Sequence, residues 1–159
     1  MSEIDFINPE PPFFNDHDEV SDETFEVLKA RCLKARELSY SPYSKFKVSC
    51  TILTEDGEFV DGANVENASY GAAICAERTA IVKAVVGGKR KFKVMAISGD
   101  TKSVITPCGI CRQVIREFTH QKDLKLPIYL FNCDGSLFIK MYLKDLLPLS
   151  FGPEDLNAI

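Results

Sequence analysis

The stretch PIYLFNCDGSLFIKMY, residues 127–142, decides how the sheet of this chain is built. Its two halves, 127–132 and 136–142, are rich in β-branched and aromatic residues and are typical of strands. Only the turn residues CDG separate them, whereas a connection between parallel strands needs about a dozen residues or more. The sequence therefore predicts that the last two strands form an antiparallel hairpin.

Helical and extended patterns alternate in the chain before this hairpin. Helical spacing or helix boundary signals predict three helices, and short apolar or alternating runs predict three more strands. The predicted helices are 21–39, 75–88 and 107–120, and the predicted strands are 46–54, 58–67 and 92–99. Because helices lie between the strands, both faces of the sheet should be covered. We expect a three-layer α/β/α sandwich with a mixed five-stranded sheet.

The first 20 residues differ from the rest of the chain in charge. They contain six acids and no Lys or Arg, so in a chain of net charge −4 the other residues carry +2. We interpret 1–20 as an acidic, flexible extension in which Phe13 and Phe14 can dock on the body, and 21–159 as one domain. The alternative for 1–20 is a solvated tail without a specific role. A nearly neutral body favours a small-molecule partner, because polynucleotide binders usually present a cationic face.

The composition also bears on location. No apolar run approaches the roughly 18 residues that a membrane-spanning helix needs, and the N-terminus lacks the basic and apolar segments of a secretory signal. Six cysteines in 159 residues do not make a dense disulfide framework, so we expect thiols unless a metal holds them. These features favour a cytoplasmic protein, with a nuclear location as an alternative.

Three cysteines predict a metal centre. Cys108 and Cys111 stand three apart in TPCGIC, and Cys75 opens a helix in CAERTA. A catalytic zinc ion needs three protein ligands and one open position. C-A-E followed by P-C-G-I-C matches the all-cysteine form of the zinc deaminase signature, in which the glutamate, here Glu77, moves protons and does not bind the metal. Two helix N-termini and a hydrogen bond from Arg78 would offset the charge of three thiolates.

Other interpretations of these residues stay open at the level of sequence. The C-x-x-C pair could be a redox couple. A closed structural zinc site could take Cys50 or Cys133 as its fourth ligand. Glu77 and Arg78 could serve only to favour the first turn of a helix or to pair on its surface.

Five motifs resemble the small, homotetrameric, three-cysteine cytidine deaminases of pyrimidine salvage. The motifs are SPYSKFKV (41–48), GANVENASYG (62–71), CAERTA (75–80), PCGICRQV (107–114) and LLPLSFGPEDL (146–156). The resemblance implies a cytidine deaminase-like fold and one Zn²⁺ per subunit. It also implies the hydrolysis of cytidine and 2′-deoxycytidine to uridine and 2′-deoxyuridine plus ammonia, with Glu77 as the proton shuttle.

The same resemblance assigns substrate contacts to four residues. Asn64 and Glu66 would hydrogen-bond the ribose 3′-hydroxyl, as an amide donor and a carboxylate acceptor can. A polymer has no free internal 3′-hydroxyl, so this pair would select nucleosides over nucleic acid. Phe46 would lie against the pyrimidine ring, and the backbone amide of Ala76 would bind its 2-oxo group. The alternative for Asn64 and Glu66 is that they are polar residues at an exposed strand end, and the alternative for Phe46 is ordinary core packing.

Tyr70 and Phe151 match family positions that reach into a neighbouring subunit's pocket, so the resemblance implies a homotetramer with shared active sites. Packing within one chain is the alternative for both residues. Two rival functions also stay open. One is deamination of another cytosine-containing substrate, such as a nucleoside antibiotic or a cytosine in nucleic acid. The other is a non-catalytic binding module that zinc stabilises.

Overall fold

The computed structural model describes residues 12–157. The helices are α1 (Asp22–Ala35), α2 (Ala76–Val86), α3 (Gly109–Glu117) and α4 (Leu143–Leu146), and the strands are β1 (Val48–Thr54), β2 (Phe59–Ala63), β3 (Phe92–Gly99), β4 (Pro127–Phe131) and β5 (Phe138–Tyr142). Within this range, no helix combines the length and the apolar character that crossing a bilayer requires.

The five strands form one mixed sheet in the order β2-β1-β3-β4-β5. β1 is antiparallel to both β2 and β3, and β3 is parallel to β4 across the connection that contains α3. The predicted hairpin is confirmed, because β4 and β5 pair antiparallel from Pro127 opposite Tyr142 to Phe131 opposite Phe138. The sheet is therefore the mixed five-stranded sheet that the sequence predicts.

Helices cover both faces of this sheet. Successive residues of a strand point to opposite faces, and in β3 the side chains of Met95 and Ile97 enter the apolar cluster that contains residues of α2 and α3. Val94 and Ala96 enter the cluster on the other face, with residues of α1. The two separate cores confirm the three-layer α/β/α arrangement.

Several elements are shorter than predicted. α1 ends at Ala35 and continues as a 3-10 turn through Leu38. β2 ends at Ala63. The backbone N–H of Asn64 still donates to the Val48 carbonyl over 3.2 Å, but in the return bond the side chain of Asn64 takes the place of its backbone carbonyl. Its Oδ1 accepts the Val48 backbone N–H over 2.9 Å, and its Nδ2 donates to the Phe46 carbonyl over 3.0 Å. A residue that was predicted to continue a strand therefore ties the start of β1 to the end of β2.

α2 packs closely on β2 through a glycine. A Cβ atom added at Gly62 would lie only 2.5 Å from the backbone nitrogen of Ala80, so a residue with a side chain would push the helix away from the sheet. α2 ends at Val86, and Gly87 is its C-cap residue, with the Gly87 N–H bonded to the Lys83 carbonyl over 3.0 Å. This close packing sets where the N-terminus of α2 lies relative to the end of the sheet.

The segment 13–20 lies on the edge strand β5. Phe14 and Lys140 exchange two backbone hydrogen bonds, of 3.0 and 2.7 Å, and Phe13 packs against the main core. For this segment the structure shows Phe13 and Phe14 docked on the body. The first 11 residues of the predicted extension lie outside the described residues, and the domain boundary at residue 20 stays a prediction.

Candidate active site

One end of the sheet brings together the segments that carry the predicted site residues. The start of β1 pairs with the end of β3, where Val48 lies opposite Gly99. The end of β2 joins them, since Ser49 lies opposite Ala63. The residues that precede β1 and those that follow β2 therefore emerge side by side.

Cys75, Cys108 and Cys111 converge on one point. Cys75 and Cys108 are the N-cap residues of α2 and α3, and Cys111 lies in the first turn of α3. The three Sγ atoms lie within 4.8 Å of one another, and those of Cys75 and Cys108 are 3.9 Å apart. Two sulfurs that each lie about 2.3 Å from one tetrahedral zinc ion would be about 3.8 Å apart. The number, type and spacing of the thiols therefore fit a zinc ion.

Within residues 12–157, no other His, Cys, Asp or Glu side chain belongs to this cluster. Cys50 is buried in the core and Cys133 is half-buried, and neither sulfur is part of the group. These positions disfavour a closed structural site with Cys50 or Cys133 as its fourth ligand. Three thiols leave a tetrahedral ion one position for a ligand that is not protein.

Arg78 lies beside the sulfur of Cys75, to which its Nη2 donates a hydrogen bond over 3.4 Å. Hydrogen bonding from Cys111, together with that from Arg78, lowers the pKa of Cys75 to about 5. The same hydrogen bond to Cys75 raises the pKa of Arg78. A thiol that ionises readily is suited to metal binding, and this geometry supports the predicted contact between Arg78 and the thiolates.

Glu77 is almost completely buried, at 4% exposure, two residues after Cys75 on the first turn of α2. Burial raises the pKa of its carboxyl group, the negative charge of Cys75 raises it further, and contact with Cys111 partly offsets these effects. A carboxyl group whose pKa is raised towards neutrality can both accept and donate a proton. The position therefore suits the predicted proton shuttle.

Asn64 has one side-chain hydrogen-bond donor left after its contacts with residues 12–157. Its Oδ1 accepts from the Val48 N–H and from the Ser39 hydroxyl, the latter over 2.6 Å. One of its two amide hydrogens goes to the Phe46 carbonyl. Because a side-chain amide has two N–H donors, the second remains for a ligand.

Glu66 lies two residues after Asn64 and faces the loop before β1. Its Oε2 accepts the backbone N–H groups of Tyr43 and Ser44, over 2.9 and 3.2 Å, and its Oε1 accepts the Ser44 hydroxyl. An ionised carboxylate offers about four acceptor positions, so Glu66 can still accept from a ligand hydroxyl. A donor on Asn64 and an acceptor on Glu66 are the pair that the predicted 3′-hydroxyl contact requires.

Phe46 and Ala76 lie at the same end of the sheet. Phe46 is 36% exposed. A Cβ added at Gly99 would lie 2.6 Å from Ile105 Cδ1 and 3.3 Å from Phe46 Cζ, so the absence of a side chain at Gly99 makes room for Ile105 and for the Phe46 ring. Ala76 is fully buried as the first residue of α2. Its N–H lies in the first turn, where the helix itself provides no acceptor.

Tyr70 and Phe151 lie on the surface of the chain. They are 78% and 58% exposed, although the Tyr70 ring lies 6.1 Å from that of Tyr43, centroid to centroid. The backbone of Phe151 is held on α3, since its carbonyl accepts from Gln113 Nε2 over 3.0 Å. Both aromatic rings are therefore presented outward, and their predicted role towards a neighbouring subunit stays a prediction.

Comparison with known proteins identifies the family. Residues 22–124, about two thirds of the chain, match the model of the cytidine and deoxycytidylate deaminase zinc-binding region. The chain belongs to this deaminase family. The matched residues include all three clustered cysteines and Glu77, so the chain has a zinc-binding deaminase domain in which these cysteines are the candidate metal ligands.

Several relatives match this chain over nearly the whole of their own length. The cytidine deaminase of Sporosarcina psychrophila is 47% identical over 132 residues, which are 83% of this chain and 94% of that protein. The cytidine deaminase of Halalkalibacterium halodurans is 43% identical over 83% of this chain and 97% of that protein. A crystal structure of cytidine deaminase from Burkholderia pseudomallei has a TM-score of 0.72 and 42% identity, and covers 79% of this chain and 98% of that chain.

Two residues of this deaminase site were not identified from the sequence. Ser44 contacts the Glu66 carboxylate, and Gly99 leaves room for Ile105 and the Phe46 ring. Ser44 lies inside the motif SPYSKFKV, but its contact joins residues 22 positions apart and leaves no local pattern. Gly99 is the last residue of a predicted strand, where a glycine is ordinarily explained by the end of the strand.

Proposed function

We propose that this chain hydrolyses the exocyclic amine of cytidine and 2′-deoxycytidine, which gives uridine and 2′-deoxyuridine plus ammonia. The observation that carries the proposal is the buried carboxyl group of Glu77 beside three thiols that converge within 4.8 Å. This combination of a three-thiol site and a non-ligating, proton-exchanging acid suits hydrolysis of an amidine-type C–N bond. The names of the relatives support cytidine as the substrate.

The three cysteines would hold one zinc ion per subunit, which supplies Lewis-acid activation of water at neutral pH. Glu77 accepts one proton from the water and delivers it to N3 of the pyrimidine, which makes C4 electrophilic. The water oxygen forms a bond to C4, and Glu77 then transfers the second proton to the departing amine. Water and cytidine become uridine and ammonia, and Glu77 returns to its starting state.

The other site residues would bind and orient the nucleoside. The Phe46 ring lies against the face of the pyrimidine, and the Ala76 N–H donates to its 2-oxo group. The free donor of Asn64 and the remaining acceptor positions of Glu66 bind the ribose 3′-hydroxyl. An internal nucleotide of a polymer has no free 3′-hydroxyl, so these contacts favour a monomer.

The charge distribution also favours a nucleoside over nucleic acid. The short basic run 89–93 lies at the start of β3, whereas the thiol cluster lies at the end where β3 finishes. Lys89 within this run is paired with Asp56 and Glu58. A polynucleotide bound by that run would lie about the length of the strand away from the thiols.

We also propose a homotetramer with shared active sites that acts in pyrimidine salvage in the cytoplasm. The number of subunits, the shared sites and the pathway come from the family resemblance. Self-association is supported by apolar side chains, each 41–83% exposed, that line one concave surface: Val65, Ile74, Val82 and Val86. A site of three free thiols is suited to a reducing compartment. Light scattering tests the assembly, and an active monomer would contradict shared sites.

The function is tested by an absorbance assay on cytidine, cytosine base and a cytosine-containing oligonucleotide, with metal analysis of the same preparation. We expect turnover of cytidine, weak activity on the other two, and about one zinc per chain. Preference for the oligonucleotide would instead favour the nucleic-acid alternative. Absence of ammonia release from every substrate, with unfolding on chelation, would favour the non-catalytic module.

A further inference from the structure

The loop 41–46 folds around the carboxylate of Glu66. Two consecutive backbone N–H groups, those of Tyr43 and Ser44, donate to Glu66 Oε2 over 2.9 and 3.2 Å. The loop closes on itself through a hydrogen bond of 3.0 Å from the Lys45 N–H to the Ser41 carbonyl, and Lys45 has a left-handed φ of 58°. Glu66 therefore holds a specific loop conformation in addition to any contact with a ligand.

The hydroxyl of Ser44 joins the two halves of the candidate nucleoside site. It donates to Glu66 Oε1, and its oxygen accepts the Phe46 backbone N–H over 3.0 Å. The Phe46 carbonyl is held in turn by Asn64 Nδ2 over 3.0 Å. One hydroxyl thus connects the carboxylate on the ribose side with the backbone of the aromatic residue on the pyrimidine side.

We infer that Ser44 is a positioning residue, which fixes the Glu66 carboxylate and the Phe46 ring at the separation that a nucleoside requires. The inference rests on the proposed function, because it assigns the ribose contact to Glu66 and the pyrimidine contact to Phe46. Ser44 itself need not touch the substrate. Its hydrogen bond also contributes most to the lowered pKa of Glu66, so it helps to keep this carboxylate ionised as an acceptor.

Removal of the hydroxyl should weaken substrate binding without changing the chemistry at Glu77. In Ser44→Ala, the Glu66 carboxylate and the Phe46 backbone N–H each lose one hydrogen-bond partner. Part of the binding free energy of the nucleoside must then be used to fix Glu66 and Phe46 in place. A hydrogen bond to a charged group is worth about a tenfold change in affinity or more, so we expect KM for cytidine to rise about tenfold. Interactions shared by the ground state and the transition state affect KM and leave kcat nearly unchanged.

The decisive comparison uses 3′-deoxycytidine, which lacks the hydroxyl that Glu66 would bind. Its KM should rise less in Ser44→Ala than that of cytidine, because only the Phe46 half of the site is then affected. Ser44→Thr keeps a hydroxyl and should restore most of the cytidine affinity. Ser136→Ala is the matched control, because it removes a similar hydrogen bond, from a serine hydroxyl to the carboxylate of Asp134, in the β4–β5 turn. Its KM for cytidine should stay at the wild-type value.

The outcomes separate this inference from the proposed function. If the wild-type protein did not turn over cytidine, the proposed function would be refuted. The inference about Ser44 depends instead on the ratio of nucleoside affinities between the Ser44→Ala variant and the wild type. Calorimetric binding of uridine gives that ratio without turnover, and we expect a weakening of about tenfold in Ser44→Ala. Unchanged affinity for cytidine and uridine, or equal losses with cytidine and 3′-deoxycytidine, would overturn the role of Ser44.

Discussion

The guanidinium of Arg78 donates a hydrogen bond to the sulfur of Cys75, one turn apart on the same helix. The contact is direct, with 3.4 Å between Nη2 and Sγ, and it places a fixed positive charge beside a group of three thiols. Three thiolates would otherwise donate so much electron density that a bound metal ion becomes a poor Lewis acid. The pair therefore gives the candidate zinc site a local means of charge compensation.

Replacement of Arg78 by Gln should impair catalysis while the fold is kept. Loss of a group that hydrogen-bonds a metal ligand typically costs about 10- to 100-fold in activity or metal affinity. We expect kcat/KM for cytidine to fall within that range, measured together with the zinc content. Lys83→Gln is a matched control on the same helix, because Lys83 donates to the Asp61 carbonyl and not to a cysteine. Equal effects of the two substitutions would indicate general destabilisation of α2.

Glu77→Gln should separate metal binding from turnover. Glutamine has nearly the same shape as glutamate but cannot carry a proton between water, N3 and the amine. We expect zinc content and melting temperature close to wild type, and kcat lower by about 100-fold to 10,000-fold. Metal analysis, thermal unfolding and the cytidine assay on one preparation are sufficient. Retained turnover would remove Glu77 from the mechanism.

Phe151→Ala tests whether active sites are shared between subunits. The ring is 58% exposed in the single chain, so its loss should affect a neighbour's site more than the local fold. We expect this variant and Glu77→Gln each to be impaired alone. Mixed and reassembled together, they should regain part of the activity, because a Phe151→Ala subunit can receive the intact Phe151 of a Glu77→Gln neighbour.

Complementation of this kind depends on the aromatic ring acting across an interface. If Phe151 served its own subunit, each hybrid site would lack one of the two groups and activity would stay at the average of the parents. Light scattering before and after mixing checks that subunits have exchanged. Activity that remains at this average after demonstrated exchange would contradict the shared-site proposal.

The N-terminal segment 13–20 should stabilise the protein through a buried lysine. Lys140 is 2% exposed and its Nζ pairs with Asp16 and with Glu19, the latter over 2.9 Å. The hydroxyls of Tyr142 and Tyr129 also donate to Glu19, over 2.6 and 3.0 Å. Because a buried charge without partners is costly, Glu19→Gln should lower the unfolding free energy by about 2 kcal/mol at pH 7.

The same cluster predicts a dependence on pH. Burial raises the pKa of Glu19, but hydrogen bonds from Tyr142 and Lys140 outweigh burial and hold it below its ordinary value of 4.5. Asp16 likewise has a lowered pKa: burial raises it, but the hydrogen bond and charge of Lys140 together with the Asp18 backbone N–H outweigh burial. An acid whose pKa is lowered on folding adds stability above its unfolded pKa and loses it as the pH falls through the folded value.

The destabilisation by Glu19→Gln should therefore be large at pH 7 and should shrink as the pH falls below about 4.5. Urea unfolding at pH 7 and pH 3.5, followed by circular dichroism, measures both values. Glu23→Gln is the control, because Glu23 is exposed and forms no ion pair among the described residues. A loss of stability that does not change with pH would show that the charge of Glu19 is not what Lys140 requires.

Local patterns in the sequence determined the layers of the fold and indicated the three cysteines that are the candidate metal ligands. The short link in 127–142 required an antiparallel hairpin, and the alternation of helices and strands required a sheet covered on both faces. Cys75, Cys108 and Cys111 could be predicted because each cysteine opens or lies in the first turn of a helix, and such positions depend on a few neighbouring residues.

Only the tertiary structure decided contacts between residues that are far apart in the chain. Asp16 meets Lys140 across 124 positions, and Ser44 meets Glu66 across 22. No helical or strand period relates such residues, so their pairing follows from the packing of β5 against the N-terminal segment and of the loop 41–46 against the end of β2. The sequence by itself determined which groups can do the chemistry, and the three-dimensional packing decided how the groups that bind the nucleoside are held.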